Sequence, residues 1–450
     1  MLGLYPTWFD PTIGSSWVIA FIATIHVLFS HAAVGGAILM GWLANRAVRK
    51  NRPEYLYFIR RYGLFLLVFS YVLGSITGPG IWFASTVASP RGISALIHTF
   101  VFWWATEWVF FLIEVFAVYL LVYLAGRVDA KTHTRISVIF ACSSTATLLV
   151  IVGVLNFMMW PGDPSWYTEG GVLNAFFGPG TFAQDIARLG FVLTITGVVA
   201  GMVAARMKDG EEKNVIVRVI SAIGLIGLAV GVAASLWYLK TLPENALEQL
   251  SSVGFSHMGR MILIALALVV LWFAFTAARP GALRTWAAAV MTLVVLVAGL
   301  APEETAREIM RKPWIAGQYV YANQVVGRDV PALGIVSELP VMEKKGVLAT
   351  APFVPEQLRH VTPENSVEAG SVLALTLCSN CHSLSNSGRR PIAKYFPANA
   401  DKKLIADYLD AGLHRGLITY MPAVPLPPAE RDALADYLST LTSSNKEAGK

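Results

Sequence analysis

The stretch Trp103-Trp104-Ala105-Thr106-Glu107-Trp108-Val109-Phe110-Phe111-Leu112-Ile113-Glu114 lies inside an apolar run from Ile93 to Ala125. Such a run exceeds the roughly 20 residues that a helix needs to cross about 30 Å of hydrocarbon at about 1.5 Å per residue, so it reads as a membrane span. Yet it carries two carboxylates. Glu107 and Glu114 are seven apart and share a helix face. An isolated carboxylate near the bilayer centre costs about 2.5 to 3.5 kcal/mol even on the translocon scale. Two on one stripe imply a proton path, a ligand to a metal centre, or both. The plainer alternative is a pair of protonated acids hydrogen-bonded between helices. His98, nearly opposite Glu107, reads as interfacial.

Working outward, seven more apolar segments qualify as spans: Ser15 to Leu43, Tyr62 to Ala84, Ile136 to Met159, Ile186 to Arg206, Val215 to Leu239, Met258 to Ala278 and Thr285 to Met310. From Arg311 onward none does. The chain of 450 residues, 55% hydrophobic and 14% charged, with mean hydropathy +0.56, is therefore read as an all-α protein: an eight-helix transmembrane bundle followed by a soluble tail. The net charge of +6 calls for no nucleic acid, because no Gly-rich phosphate loop, zinc-finger pattern or basic-aromatic stripe accompanies it. The basic residues gather after the first, third, fifth and seventh spans, at Arg46 to Arg61, Arg127 to Arg135, Arg206 to Arg218, and Arg279 with Arg284. By the positive-inside rule the amino terminus is then outside, and eight crossings return the tail to the outside. The first span lacks a basic leader region and a small-residue cleavage site, so it reads as a retained helix.

Several spans carry polar residues at depth. His26 lies about eleven residues into the first span, where an ionisable group is costly and usually functional; axial heme ligation is the sharp reading and a histidine hydrogen-bonded to a neighbouring helix the bland one. His31 lies about 140° around the helix and reads as packing or a propionate contact. In the second span, Gly78-Pro79-Gly80 predicts a break or hinge. The fourth span ends Asn156-Phe157-Met158-Met159-Trp160-Pro161, and the fifth opens Gln184-Asp185-Ile186-Ala187-Arg188. At the seventh, His257 and Met261 stand on one face beside Arg260; the eighth ends Glu304 to Glu308, Arg311, Lys312, Pro313 and Trp314. Cys142, in mid-span, reads as a buried thiol.

The tail holds Cys378-Ser379-Asn380-Cys381-His382. Two cysteines three apart followed at once by histidine is the signature of a covalent c heme, with both thiols bonded to the porphyrin and His382 on the iron. The alternative, a redox dithiol or half a zinc site, lacks a second ligand pair. Covalent heme attachment is extracytoplasmic, in agreement with the charge bias. Ser366 to Leu377, Lys403 to Leu413 and Ala429 to Leu441 have helical periods. Between the last two, Tyr420-Met421-Pro422-Ala423-Val424-Pro425 resembles the sixth-ligand loop of class I cytochromes c. Met421 is the expected distal ligand, and His414, in a solvated His-Arg pair, is its competitor.

Taken in order, His26, the two glutamates Glu107 and Glu114, the Asn-aromatic-Met exit from span four, and Glu308-x-x-Arg311-x-Pro313-Trp314 make residues 1–314 resemble subunit I of the cytochrome bd quinol oxidases. The resemblance implies that His26 is an axial heme ligand and Glu107 borders the heme d pocket. It also implies that Glu114 is the second acid of a proton route and Glu308 ligates a high-spin heme b, with Arg311 and Trp314 beside it. It further implies two non-covalent hemes of type b or d, and a smaller subunit II-like membrane partner or a pseudo-symmetric mate. The setting it implies is the bacterial cytoplasmic membrane.

The chain departs from that pattern in three places. The family's helix-five histidine falls on Gln184 or Asp185, leaving Met261 and His257 as candidates at span seven. The long quinol loop between spans six and seven is absent, with only Lys240 to Ser256 there. After residue 314, a Pro-containing linker (315–362) and a cytochrome c domain (363–450) replace the ninth helix. The expected function is a respiratory heme oxidoreductase in which the c domain exchanges electrons with a membrane heme pair, oxygen being an acceptor to which Glu107 and Glu114 would deliver protons. The alternatives are quinol oxidation with electrons leaving through the c heme, and a non-catalytic electron-transfer subunit of a larger complex.

Overall fold

The computed structural model describes residues 6–252, 255–385, 387–397 and 400–447. Among them, eight helices are long and apolar enough to cross a membrane: α1 (Trp17–Arg49), α2 (Tyr55–Ala88), α3 (Pro90–Tyr123), α4 (Ala130–Met159), α5 (Thr181–Ala204), α6 (Glu211–Leu239), α7 (Ser256–Ala278) and α8 (Thr285–Arg311). The chain is thus a multi-pass membrane protein with an all-α transmembrane bundle. A smaller helical domain follows, built on α9 (Ser366–Leu377), α10 (Lys402–Leu409) and α11 (Pro428–Glu447).

Small residues form the contact between α5 and α6 in the bundle's interior. Glycines let α5 and α6 approach backbone to backbone, since a Cβ on Gly190 would meet Gly231 N at 2.3 Å. In lipid, close approach of this kind replaces the hydrophobic drive that water supplies to soluble cores. The carboxy-terminal half of α1 packs against α4 and α5, with Ala32, Ala37, Leu39, Met40, Leu43 and Ala44 fully buried. The amino-terminal half, before Leu28, has no buried residue. It faces open space inside the bundle.

Helical irregularities fall elsewhere than Gly78-Pro79-Gly80 predicts. The helix runs through Pro79 without a break, because the flanking glycines leave room for its ring and only one backbone hydrogen bond is forfeited. A π-helical turn occupies Leu67–Val72 of α2 and another Val295–Leu300 of α8, while α3 departs from helical geometry at Phe100 (φ −125°, ψ 28°). Such turns commonly mark functional segments of membrane helices. Cys142 is exposed on the outward face of α4, not buried, since its helix turns that side away from the bundle.

Residues 315–362 form a packed wedge in place of an open tether. Strands Trp314–Ala316 and Val320–Tyr321 pair antiparallel. Gln324 Oε1 accepts the backbone N–H groups of Arg91 (3.1 Å) and Gly92 (3.1 Å) at the start of α3, and Arg91 pairs with Glu338 at 2.5 Å. Further on, Glu430 of α11 accepts the N–H groups of Val347 (2.7 Å) and Leu348 (2.9 Å). Aromatic residues in the α4–α5 connection add to the seat: Trp103 stacks on Phe176 at 3.8 Å and Tyr167 donates to Gly317 O at 3.0 Å. Such ring pairs contribute about 0.5 to 1.5 kcal/mol each beyond area burial. The prolines of this segment mark its turns and helix starts.

Candidate functional site

The open space along the first half of α1 is a cavity of about 890 Å³ between α1, α2, α3, α4 and α8. Sites for cofactor-sized molecules commonly have such volumes and largely apolar walls. His26 projects into it. Its Nδ1 lies 2.9 Å from Thr77 Oγ1, and that hydroxyl donates its own proton to Leu73 O at 2.9 Å. Thr77 is therefore an acceptor toward His26, which fixes the proton on Nδ1 and leaves Nε2 free as a ligand. A second partner of this kind is the usual companion of a metal-binding imidazole. Gly78 lies next to the ring and presents no side chain, so the space beside His26 stays open.

Glu107 and Glu114 both line the cavity, as one helix stripe requires. Glu107 is half-buried. Glu114 is 3% exposed and accepts Tyr71 Oη at 2.6 Å. His31 lines the cavity too, buried and near Arg188. His98 is exposed and turned back onto Ser94 O at 2.8 Å.

At the end nearest the C-terminal domain the cavity is ringed by charge. Glu308, one helical turn before Arg311, pairs with Arg311 and with Lys312 Nζ at 2.6 Å. Arg307 Nε donates to Glu304 Oε2 at 3.0 Å, and Arg188 of α5 stands 3.9 Å from Glu304 Oε1. Lys312, just past α8, is 4% exposed at its side chain; burial would lower its pKa, but the Glu308 carboxylate raises it, with Cys381 and Tyr420 close by. An arginine inside an apolar span was a signal for Arg188. Nothing in the sequence marked Tyr71 or Thr77 as neighbours of the site.

The CxxCH loop docks on the start of α1. Ser15 N donates to Ser379 O (3.3 Å), Ser15 Oγ to Asn380 Oδ1 (2.7 Å) and Ser16 Oγ to Asn380 O (2.6 Å). Cys381 thereby lines the same cavity as His26, Glu107 and Glu308. Both cysteines are unpaired; burial, then the neighbouring Cys381, pushes the Cys378 thiol up to about 12. His382 donates from Nδ1 to Arg390 O at 3.1 Å, leaving Nε2 free, and burial holds the ring pKa down to about 4, in the neutral form that can ligate. Tyr395 meets its ring edge-on at 4.9 Å. Met421 is half-buried against the same core, and its neighbour Tyr420 stands close to Cys381. His414 is exposed. These donors fit a covalently held porphyrin: two thiols, an oriented imidazole, and a thioether from the loop beside them.

Other expected residues stand apart. His257 and Arg260 are exposed on α7, with Arg260 Nε bonded to Ser256 O at 3.3 Å, and Met261 is half-buried outside the cavity. Trp314 is buried against Tyr321 at 4.2 Å, beneath Arg328. Gln184 and Asp185 are buried in the first turns of α5, with Gln184 Oε1 and Asp185 Oδ1 unpartnered among the described residues. Between α6 and α7 stands the helix Glu244–Ser252, with residues 253 and 254 outside the described set. Among the described residues no three His, Cys, Asp or Glu gather as a metal-ion site. A porphyrin supplies four nitrogens of its own, so one or two protein donors suffice.

Neither a known protein family's model nor a curated protein matches the chain. Among solved structures it is similar to a chain of the bd oxidase from Geobacillus thermodenitrificans, with a TM-score of 0.55 and 16% identity over 68% of this chain and 88% of that one. At that identity the likeness shows a shared bundle fold.

Proposed function

We propose that the chain is a membrane-bound heme oxidoreductase of a bacterial respiratory chain, in which a c heme on the tail exchanges electrons with a heme pair of type b or d in the bundle. What supports it best is that Cys381 of the attachment motif and His26, Glu107 and Glu308 of the bundle line one continuous cavity. Cys378, Cys381, His382 and Met421 would hold the covalent heme; His26 and Glu308 would hold the membrane hemes. Bound there, they supply reversible one-electron chemistry at iron, which no protein side chain here replaces.

The remaining work falls to the chain's own residues. Thr77 keeps His26 in one tautomer and ring orientation. Arg311 and Lys312 flank Glu308 and neutralise it. Tyr71 of α2 holds Glu114 by its hydroxyl, and Glu107 stands seven residues nearer the docked tail on the same stripe, so the pair can pass protons along the cavity. The tail and the amino terminus lie on one side, the periplasmic side in this reading. A subunit II-like membrane protein or a pseudo-symmetric mate would cover the lipid-facing helices.

The short α6–α7 connection favours electrons arriving through the c domain from a periplasmic cytochrome, with oxygen as acceptor. The reverse current, from quinol out through the Cys378 heme, is the second reading, since docking serves either direction. Carbon monoxide difference spectra separate them: a CO-reactive membrane heme is expected, and wholly low-spin spectra would remove the oxygen site. Oxygen uptake should then follow reduced cytochrome c and not quinol.

A further inference from the structure

Six cations ring the tail-proximal end of the cavity, and they do not share one origin. Arg188, Arg307, Arg311 and Lys312 belong to the bundle and its margin, while Arg389 and Arg390 come from the loop after the CxxCH motif. The two carboxylates there, Glu304 and Glu308, are taken by the first four. Among the described residues no carboxylate forms an ion pair with Arg389 or Arg390, and only the charge of Glu308, already held by Arg311 and Lys312, reaches Arg389. Their guanidinium groups lie on rings instead: Arg389 is 4.0 Å from the Trp17 centroid, and Arg390 donates to Tyr420 Oη at 2.9 Å. Cations placed together in a low-dielectric space repel unless an anion joins them.

The backbone holds this pair in place. Arg390 has φ 45°, a left-handed conformation that is strained for a residue bearing a side chain. The strain puts its carbonyl on His382 Nδ1 and its guanidinium at the cavity. Arg389 N donates to Thr12 O at 2.9 Å, and Gly388 (φ +96°) passes so close that a Cβ would stand 2.0 Å from Thr12 O. A conformation this constrained at a ligand-facing position points to function.

We propose that Arg389 and Arg390 form a cationic lid that binds the carboxylates of the porphyrin in the bundle cavity, so that the tail completes the membrane cofactor's site. The inference rests on the reading that His26 and Glu308 hold a heme there. It makes the order of assembly testable: the bundle alone holds its cofactor loosely, and the docked tail locks it in.

The test uses the full chain with Arg389→Gln/Arg390→Gln and with Arg389→Lys/Arg390→Lys. Pyridine hemochrome spectra give non-covalent heme per covalent heme, and excess apomyoglobin reports the rate at which non-covalent heme leaves. The glutamine pair should lose it about tenfold faster or more, the value of one charge-assisted hydrogen bond, and the lysine pair should stay near wild type. The covalent heme spectrum should be unchanged in both. A wild-type loss rate in the glutamine pair overturns the lid. So does an equal acceleration by Trp17→Leu, which removes the ring under Arg389 and keeps both charges, for then the seat and not the charge retains the heme. A wild-type chain with no non-covalent heme overturns the functional reading and the lid with it.

Discussion

The attachment loop and the bundle cavity are assembled in opposite ways. The loop's two thiols and imidazole lie within five consecutive residues, held by a backbone carbonyl from Arg390 eight residues on. The cavity draws His26 from α1, Thr77 from α2, Glu107 and Glu114 from α3, Arg188 from α5 and Glu308 from α8. A local site survives as long as its loop does. A distributed site depends on helix packing, and each of its members is positioned by a partner that the sequence does not place beside it.

The sharpest way to break that contrast is to remove the one donor the cavity cannot replace. His26→Ala should abolish a membrane heme signal and leave the c-heme spectrum intact. An unchanged ratio of non-covalent to covalent heme in the purified variant would show that the distributed site is held elsewhere. Met421→Ala is the matching change at the local site: the c heme should fall in potential and become high-spin, because a thioether on iron raises the potential. A normal low-spin spectrum would assign the sixth position to another side chain.

The next effect lies on the seam between the two sites. Gly388→Ala would place a Cβ against the Thr12 carbonyl in a backbone region that only glycine adopts freely, so the loop must lift from the start of α1. Electron exchange between the two hemes, followed by flash photolysis, should slow well over tenfold while each spectrum stays normal, because docking no longer fixes the donor beside the acceptor. Equal rates in variant and wild type would mean that the docked arrangement is not the conducting one. Thr77→Val is smaller: it deprives His26 Nδ1 of its acceptor, and loss of such a partner typically weakens metal affinity about 10- to 100-fold. Heme titration of the apo-chain reads it directly.

Legibility in the sequence follows the same division. Eight spans and the helix Ser366–Leu377 follow from apolar run length and helical period. Gly78-Pro79-Gly80 misled, since local propensity marks where a helix can bend and tertiary packing decides where it does, here at Phe100 and in the π turns. The segment 315–362 misled for a related reason: its prolines suggest an open tether, while its buried Tyr319, Val320, Val330 and Val347 bind it to the bundle and the tail. Tyr71 and Thr77 acquire meaning only from Glu114 and His26, more than forty positions away along the chain. No periodicity carries that information.

The smallest prediction concerns the local site's scaffold. Asp436 of α11 accepts Ser366 Oγ at 2.6 Å and Lys402 Nζ at 2.8 Å, so one carboxylate joins the first turns of α9 and α10 to α11. Partial burial works against its charged form, but the hydrogen bonds from Lys402 and Ser366 outweigh that and leave its pKa below the ordinary aspartate value. A depressed acid stabilises the fold at pH above its unfolded value, about 4, and that contribution is lost as pH falls through the lower folded value. The pair is partly exposed, so its worth is under about 1 kcal/mol. Asp436→Asn should therefore cost that amount at neutral pH and nothing in strong acid, converging on wild type as the wild-type carboxylate protonates. Unfolding of the tail, followed by its Soret band in the full chain across this range, makes the comparison; two curves that stay parallel below pH 4 would show that Asp436 contributes packing and not charge.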